Sequence, residues 1–269
     1  MKTQIVQRPF GITVVIPTFN RLDLLQRAIN SVCTTQHSMV EIVVVDDGSA
    51  VNPLPLIPNT NRSGVIVRGY RFEYNRGPQA ARNLGIRRAR FSHIAFLDSD
   101  DEFRPEKIDT VLKVLQTQDL DLLFHSVGGM PRYTMLARLW NRYLRLAVPF
   151  IWLCTIYNPV VTPGLIVRRR CRLGLPTMRY CEDWFYLLHY FEADMLVDYL
   201  DSEMSTVHRA PGTSGGLSGA IWEMRKGEFK ARSALLQNPT IYKVLRFVVG
   251  TLAGLARITS DATRGRYLR

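Results

Sequence analysis

The chain has 269 residues, of which 46% are hydrophobic and 22% charged, and its formal net charge is +12. This length fits one large domain or a domain with an extension, and the composition, with 10% aromatic residues, excludes a wholly disordered chain. A positive balance of this size points to anionic partners: nucleic acid, an acidic membrane surface or phosphorylated substrates.

The excess is unevenly spread. From Leu122 to Cys181 there is no Asp or Glu, against nine Arg; from Ile221 to Arg269 there are ten Lys or Arg against Glu223, Glu228 and Asp261. These stretches carry +16 between them, so the rest of the chain is slightly acidic, at −4. They read either as solvated basic faces or as surfaces for an anionic partner. The first nine residues, Met1 to Pro9, hold no apolar run of a signal peptide. Cys33, Cys154, Cys171 and Cys181 form no C-x-x-C pair, which predicts reduced thiols in a cytosolic protein. The longest apolar run, Ala147 to Val167, is broken by Pro149, Asn158, Pro159, Pro163 and Gly164, too often for a spanning helix of ~20 residues.

In chain order, Ile12 to Ile16 predicts a buried strand stopped by Pro17, followed by a helix over Leu22 to Cys33 with apolar residues at helical spacing. Glu41 to Val45 is a second strand, Asn52 to Asn61 a proline-rich loop, and Val65 to Tyr70 a third strand. Pro78 to Arg90 is a helix, Ile94 to Leu97 a strand, Pro105 to Thr117 a helix and Leu120 to His125 a strand. Strands alternating with such helices predict an α/β fold with a mainly parallel sheet, whose ligands bind beyond the C-terminal strand ends. Further on, Tyr133 to Leu146 predicts a basic amphipathic helix, Leu165 to Val167 a strand and Glu182 to Phe191 a helix. Val197 to Leu200 and Ser205 to His208 read as short strands or loop, and Gly212 to Gly219 as a Gly/Ser-rich loop. Helices over Ala220 to Leu236 and Thr240 to Ala256 precede a disordered tail from Arg257.

Two predicted strand ends carry acidic clusters. In Phe96-Leu97-Asp98-Ser99-Asp100-Asp101 the like charges raise one another's pKa, and a hard divalent cation would relieve them. The alternative is a turn in which Asp101 or Glu102 favours the next helix N-terminus. In Val45-Asp46-Asp47-Gly48-Ser49, a carboxylate can accept from a base or a ribose hydroxyl, or can simply shape an Asp-Gly turn. Val15-Ile16-Pro17-Thr18-Phe19-Asn20-Arg21 offers short polar groups at Thr18 and Asn20, with Asn20 also suited to capping the following helix. In Asn75-Arg76-Gly77-Pro78 and Ala80-Ala81-Arg82-Asn83-Leu84-Gly85, a turn opens a helix of small residues that permits close approach. Arg76 or Arg82 there could pair with a diphosphate or lie on the surface. Glu182-Asp183-Trp184 suits a general base of tuned pKa, or an acidic helix start. His208 is either a metal or phosphate ligand or a structural histidine.

The order of these motifs resembles that of the inverting family-two glycosyltransferases of bacteria, over about residues 11–216. The resemblance implies a GT-A fold, a nucleotide-sugar donor, usually UDP-linked, and a divalent metal, Mn²⁺ or Mg²⁺. Carried onto this chain, it implies that Pro17 and Thr18 line the nucleotide pocket, with Asn20 beside them, and that Asp46 or Asp47 holds the base or ribose. Arg76 and Arg82 fall on the diphosphate side. Asp98 faces the ribose, Asp100 and Asp101 serve the metal and diphosphate, and His208 matches a later motif loosely. Asp183 is then the catalytic base, with Glu182 beside it. The Gln-x-x-Arg-Trp motif and membrane helices of processive synthases are missing, which favours a single-addition transferase.

The implied organisation is a transferase domain over 1–219, its nucleotide part about 11–126 and its acceptor part about 127–219, and a basic helical extension over 220–269. The implied reaction is a metal-assisted single displacement onto a glycan or lipid-linked acceptor in cell-surface polysaccharide assembly. The basic excess then predicts contact with an anionic lipid surface or a lipid-diphosphate acceptor at the inner face of the membrane, not with nucleic acid. The competing readings are a catalytically silent nucleotide-sugar binder or scaffold, a nucleotidyltransferase, whose Gly-rich N-terminal loop this chain lacks, and a nucleic-acid binder, which no motif supports.

Overall fold

The computed structural model describes residues 8–144, 149–169, 178, 180–190, 195–209 and 220–263. Strands β1 (Ile12–Thr18) and β2 (Val40–Asp46) are buried at all seven positions. Such continuous apolar runs are what a parallel strand needs when helices cover both faces of the sheet. Helix α1 (Leu22–Ser31) joins them, and β3 (Ile66–Arg71) adds to the outer side of β2. Next come α2 (Pro78–Arg88), β4 (His93–Phe96), the two-residue β5 (Glu102–Phe103), α3 (Lys107–Thr117) and β6 (Leu122–Gly128). They are followed by α4 (Pro131–Leu139), which runs on into a π-helical turn, α5 (Phe150–Ile156), β7 (Leu165–Arg168), α6 (Glu182–Tyr190), β8 (Val197–Thr206), α7 (Ile221–Ser233) and α8 (Ile241–Thr263).

The eight strands form one sheet in the order β3-β2-β1-β4-β7-β6-β8-β5. The pairs among β1, β2, β3 and β4 are parallel; β7 runs antiparallel to both β4 and β6, and β8 is parallel to β6. Two reversals restore direction, so β1, β2, β3, β4, β6 and β8 all deliver their C-terminal ends to one edge. Alternation along β1 divides the core. Ile12, Val14 and Ile16 pack with Leu25 and Ile29 of α1 and Ile108 and Leu112 of α3. Val15 packs on the other face with Ile86 of α2, Trp184 of α6 and Ala231 of α7. At Gly85 a Cβ would come within 2.3 Å of Val15, so α2 depends on that glycine for its close approach to the sheet.

Several sequence expectations are corrected. Pro17 does not stop β1; it sits within the strand, opposite Val45. The Val15 carbonyl accepts from the Leu97 amide, so Pro17, two residues on, points its nitrogen the same way, past the end of β4, and forfeits no ladder bond. Pro105 precedes α3, which begins at Lys107, and Glu102 lies in β5, so neither Asp101 nor Glu102 caps that helix. The segments expected separately over 197–208 form one strand, β8, with register shifts against β6. The broken apolar run contains α5, whose Phe150, Ile151 and Cys154 are in the core. Helix α8 continues to Thr263, seven residues past the expected Ala256. Gly212 to Gly219 and the last residues of the tail lie outside the described residues. No described helix is long and apolar enough to cross a membrane. Cys33, Cys154 and Cys181 are free thiols, and Cys171 lies outside the described residues.

The basic C-terminal stretch is not simply a solvated face. Glu228 of α7 is buried among Arg225, Arg232 at 3.6 Å and Arg257 at 3.2 Å, and Arg225 also pairs with Asp261 at 2.6 Å. Arg246 is buried and donates to Thr155 Oγ1 at 2.9 Å. Four of the arginines that give this stretch its charge therefore point towards other protein groups, with Arg232 and Arg246 buried and Arg225 and Arg257 half-buried.

Candidate active site

The shared strand edge gathers the motifs. At the end of β2, Asp46 is fully buried; it accepts from the Ser49 amide and hydroxyl, with Arg71 Nε 3.4 Å away. Gly48 follows at φ +78, a conformation a side chain would strain. Asp47 is buried too, and its two carboxylate oxygens accept from the backbone amides of Arg76 and Gly77, each at 2.8 Å. Burial raises its pKa above the usual carboxylate range, against the pull of those amides. Both carboxylates thus shape the loops around the strand end. The Arg76 guanidinium lies over the Phe72 ring at 4.9 Å.

Thr18 ends β1, and its carbonyl accepts from the Asp47 amide at 2.9 Å. Asn20 caps no helix. It sits at φ 52, its amide donates to Ser49 Oγ at 2.8 Å, and its Oδ1 accepts from the Ala50 amide at 2.9 Å. It ties the loop after β1 to the loop after β2.

Beyond β4, the side chains of Asp98 and Asp100 remain 32% and 17% exposed, while Asp101 is 5% exposed as a residue. Asp98 Oδ1 pairs with Arg82 at 2.5 Å, and Asp100 pairs with Arg21 at 2.7 Å. Asp101 accepts from the His208 amide at 3.3 Å. Its pKa is pushed up to about 7 by burial and by the charges of Asp98 and Asp100. The His208 ring reaches the same turn, but its Nε2 lies 2.8 Å from Glu102. Arg27 closes that flank, 3.0 Å from Glu102. Arg21, just before α1, ends the Val15-to-Arg21 motif but was given no role there, and Arg27, on α1, was not singled out in the sequence.

Among the described residues, no three Asp, Glu, His or Cys side chains are gathered as a cage for a metal ion. The acidic turn nevertheless fits a divalent cation of the Mg²⁺ or Mn²⁺ kind. It presents two partly accessible carboxylates, Asp98 and Asp100, each held on one side by an arginine, Arg82 and Arg21, with the buried Asp101 behind them. Such ions are commonly held by one or two carboxylates together with substrate phosphates.

Glu182 and Asp183 open α6 on the same side. Arg82, buried on α2, donates Nη2 to Asp98 and Nη1 to Glu182 at 2.6 Å. Burial opposes its charge, but the pull of Asp98, Glu182 and Asp183 outweighs this and holds the guanidinium above its ordinary pKa. Arg82 is accordingly a bridge between carboxylates rather than a cation presented to a diphosphate. Asp183 Oδ2 accepts from Asn158 Nδ2 at 3.0 Å, and Oδ1 from the Trp184 amide at 2.7 Å. Burial raises the pKa of both Glu182 and Asp183, while Arg82 pulls each down. Asn158 carried no signal in the sequence beyond its place in a broken apolar run. Trp184 is itself clamped: its Nε1 donates to the Cys154 carbonyl at 2.6 Å, and Arg232 and Arg257 lie over its ring at 4.5 and 5.4 Å.

A mixed α/β sheet flanked by helices, with acidic residues gathered at one edge of its strands, is the GT-A type of fold. The family profile Glycosyl transferase family 2 matches residues 13–158, more than half of the sequence, and the chain belongs to that family. An uncharacterized glycosyltransferase of Rickettsia felis is 40% identical over 251 residues, 92% of this chain and 40% of its own length. The succinoglycan biosynthesis protein ExoO of Rhizobium meliloti is 40% identical over 105 residues, 38% of this chain and 29% of that protein. The chain therefore spans well under half the length of these curated relatives. Among solved structures, Staphylococcus aureus TarS 1-349 in complex with UDP-GlcNAc superposes with a TM-score of 0.70 at 17% identity, covering 92% of this chain and 73% of that one. The mannosyltransferase PcManGT of Pyrobaculum calidifontis, in complex with GDP-Man and Mn²⁺, gives 0.63 at 11% identity, covering 98% and 84%.

Proposed function

We propose that this protein transfers a sugar from a nucleotide-sugar donor, UDP-linked, to a glycan or lipid-linked acceptor, with inversion, in cell-surface polysaccharide assembly. The observation that carries the reading is the Arg82 bridge, which joins the strand-end carboxylate Asp98 to the α6 carboxylate Glu182 in one site. Donors bound by the solved neighbours and the role of ExoO in succinoglycan biosynthesis support the same substrate class. We read residues 1–219 as the transferase domain and 220–269 as its helical extension.

The nucleotide lies over the ends of β1 and β2, on the surface made by Pro17, Thr18 and the loop that Asn20 fastens. Asp46 and Asp47 act by holding the loop backbones in position, because their oxygens are already engaged. Arg76 is the cation that meets the diphosphate. A divalent cation, Mn²⁺ or Mg²⁺, would be held by Asp98 and Asp100 with the diphosphate completing its shell, and would stabilise the charge that develops on the leaving group. Asp101 and His208 stand behind these two, closing the turn.

The acceptor hydroxyl oxygen attacks the anomeric carbon as the bond to the diphosphate oxygen breaks, and the hydroxyl proton passes to Asp183. A single displacement of this kind inverts the anomeric centre. Burial raises the pKa of the Asp183 carboxylate, which makes it a stronger base, and Asn158 and the Trp184 amide fix its orientation. Glu182 is a positioning residue, neutralised by Arg82.

The test is nucleoside diphosphate release from a panel of UDP- and GDP-sugars with Mn²⁺, with and without mixed glycan and lipid-linked acceptors. Acceptor-stimulated release that Asp183→Asn abolishes supports the reading. Nucleotide binding without any release would make the protein a silent binder instead.

A further inference from the structure

Helix α8 is amphipathic the wrong way round for a helix on a protein surface. Its four charged residues are Lys243, Arg246, Arg257 and Asp261. Arg246 and Asp261 are buried, while Lys243 and Arg257 are half-buried. Arg246, Arg257 and Asp261 bind Thr155, the Ile156 carbonyl, Glu228 and Arg225. At 100° per residue these inward groups share one side, and Ile241, Val244, Leu245, Val248, Leu252 and Leu255 share the other. All six are exposed, Ile241 at 92%. Among the described residues, no charged side chain interrupts that outer face.

The patch continues onto α7, where Trp222 and Phe229 are exposed and Phe229 meets Phe247 of α8 edge to face, with ring centroids 6.2 Å apart. Lys226 and Lys230 are exposed on that face of α7, and Lys226 lies 5.8 Å from the Trp222 ring centroid. An apolar stripe bordered by an indole and by the ammonium groups of Lys230 and of Lys226, the latter also paired with Glu223 at 2.7 Å, has the chemistry of an anionic lipid interface.

We infer that the outer face of α8, with Trp222 and Phe229, is the surface on which this protein lies on an anionic bilayer. The inference deepens the membrane-side reading of a lipid-linked acceptor by naming the contact, and it rests on that reading. The apolar stripe enters the headgroup boundary while Lys226 and Lys230 meet lipid phosphates. The arginines stay inside the protein, holding α8 to α5 and α7.

The test is co-flotation of the full chain with phosphatidylcholine vesicles and with phosphatidylcholine/phosphatidylglycerol vesicles, at low and high salt. The comparison proteins are Leu245→Glu/Leu252→Glu and Lys226→Ser/Lys230→Ser. We expect partition onto the anionic vesicles, reduced at least about tenfold by the Leu pair and made less salt-sensitive by the Lys pair. Melting temperature and UDP binding should be unchanged in both variants, since neither touches the strand edge. Anionic-vesicle binding that the Leu pair leaves intact would overturn the assignment to α8 while sparing the membrane reading. No vesicle binding by the wild type would overturn both. A concentration-dependent dimer in light scattering that the Leu pair dissolves, without vesicle binding, would make a second copy the occupant and overturn the proposal.

Discussion

Arg82 and Glu182 lie 100 residues apart in the chain and meet in a buried ion pair of 2.6 Å. The same guanidinium holds Asp98, so one side chain on α2 sets the spacing between the acidic turn after β4 and the start of α6. Removing it leaves two carboxylates facing each other without a counter-ion. Arg82→Met should cost about 3–5 kcal/mol of stability, as expected for breaking a buried pair from one side. Arg82→Lys should recover only part of this, because a single ammonium cannot span both oxygens. Urea denaturation of the three proteins checks the order, and equal midpoints would show that the bridge is dispensable.

The loop carrying Arg76 depends on Asp47. Asp47→Ala removes the acceptor for two backbone amides and should destabilise by roughly 2–4 kcal/mol, with weaker nucleotide binding as the loop loosens. Asp47→Asn keeps one acceptor oxygen and should fall between. Chemical denaturation and calorimetric titration of UDP read the two effects separately.

Histidine burial gives a pH signature. The His93 imidazole is pushed down to about 4, chiefly by burial and then by Arg168 nearby. A group with a depressed folded pKa is neutral in the native protein while the unfolded chain takes up a proton below about pH 6.5. Its stabilising contribution is present above that value and is lost as the pH falls towards 4, on the order of 3 kcal/mol in all. His125 shifts in the same direction. The raised carboxylates Asp47, Asp101, Glu182 and Asp183 act oppositely, so the wild-type profile alone is not diagnostic. The difference between wild type and His93→Phe, measured by denaturation at pH 7.5 and pH 4.5, isolates the effect. The variant should lose less stability on acidification.

Glu228 sits under the candidate base through Trp184. It is the shared partner of Arg225, Arg232 and Arg257, and two of those lie over the Trp184 ring. Burial and the neighbouring Arg257 already push the Arg232 guanidinium down to about 10. Glu228→Ala should therefore destabilise by about 3–5 kcal/mol and slow transfer without abolishing donor binding. Thermal melting and donor titration check both halves.

The strand ends were legible in the sequence because parallel strands are continuous apolar runs and the residues that interrupt them are acidic. Asp46, Asp98 and Asp183 all fall where a strand ends or a helix starts. The partners of those carboxylates were not legible. Arg21, Arg27 and Asn158 act across long sequence separations, which local periodicity does not encode. Pro17 misled because a strand interior normally needs its amide, and only the early end of β4 frees it from that need. The charge of the last fifty residues read as a solvated face or a surface for an anionic partner, yet Arg225, Arg232, Arg246 and Arg257 turn inward to other protein groups, and net charge contains no information about direction. The inverted polarity of α8 follows from that inward network.

Calorimetric titration of UDP in the presence of Mn²⁺ tests the central claim, a nucleotide-sugar site on this strand edge, most directly. Saturable binding to the wild type and to Asp183→Asn alike is expected, weakened at least about tenfold by EDTA or by Asp100→Ala, in keeping with one carboxylate and the diphosphate sharing a cation. Absence of saturable binding by UDP and by GDP, with folded protein and Mn²⁺ present, would contradict the account.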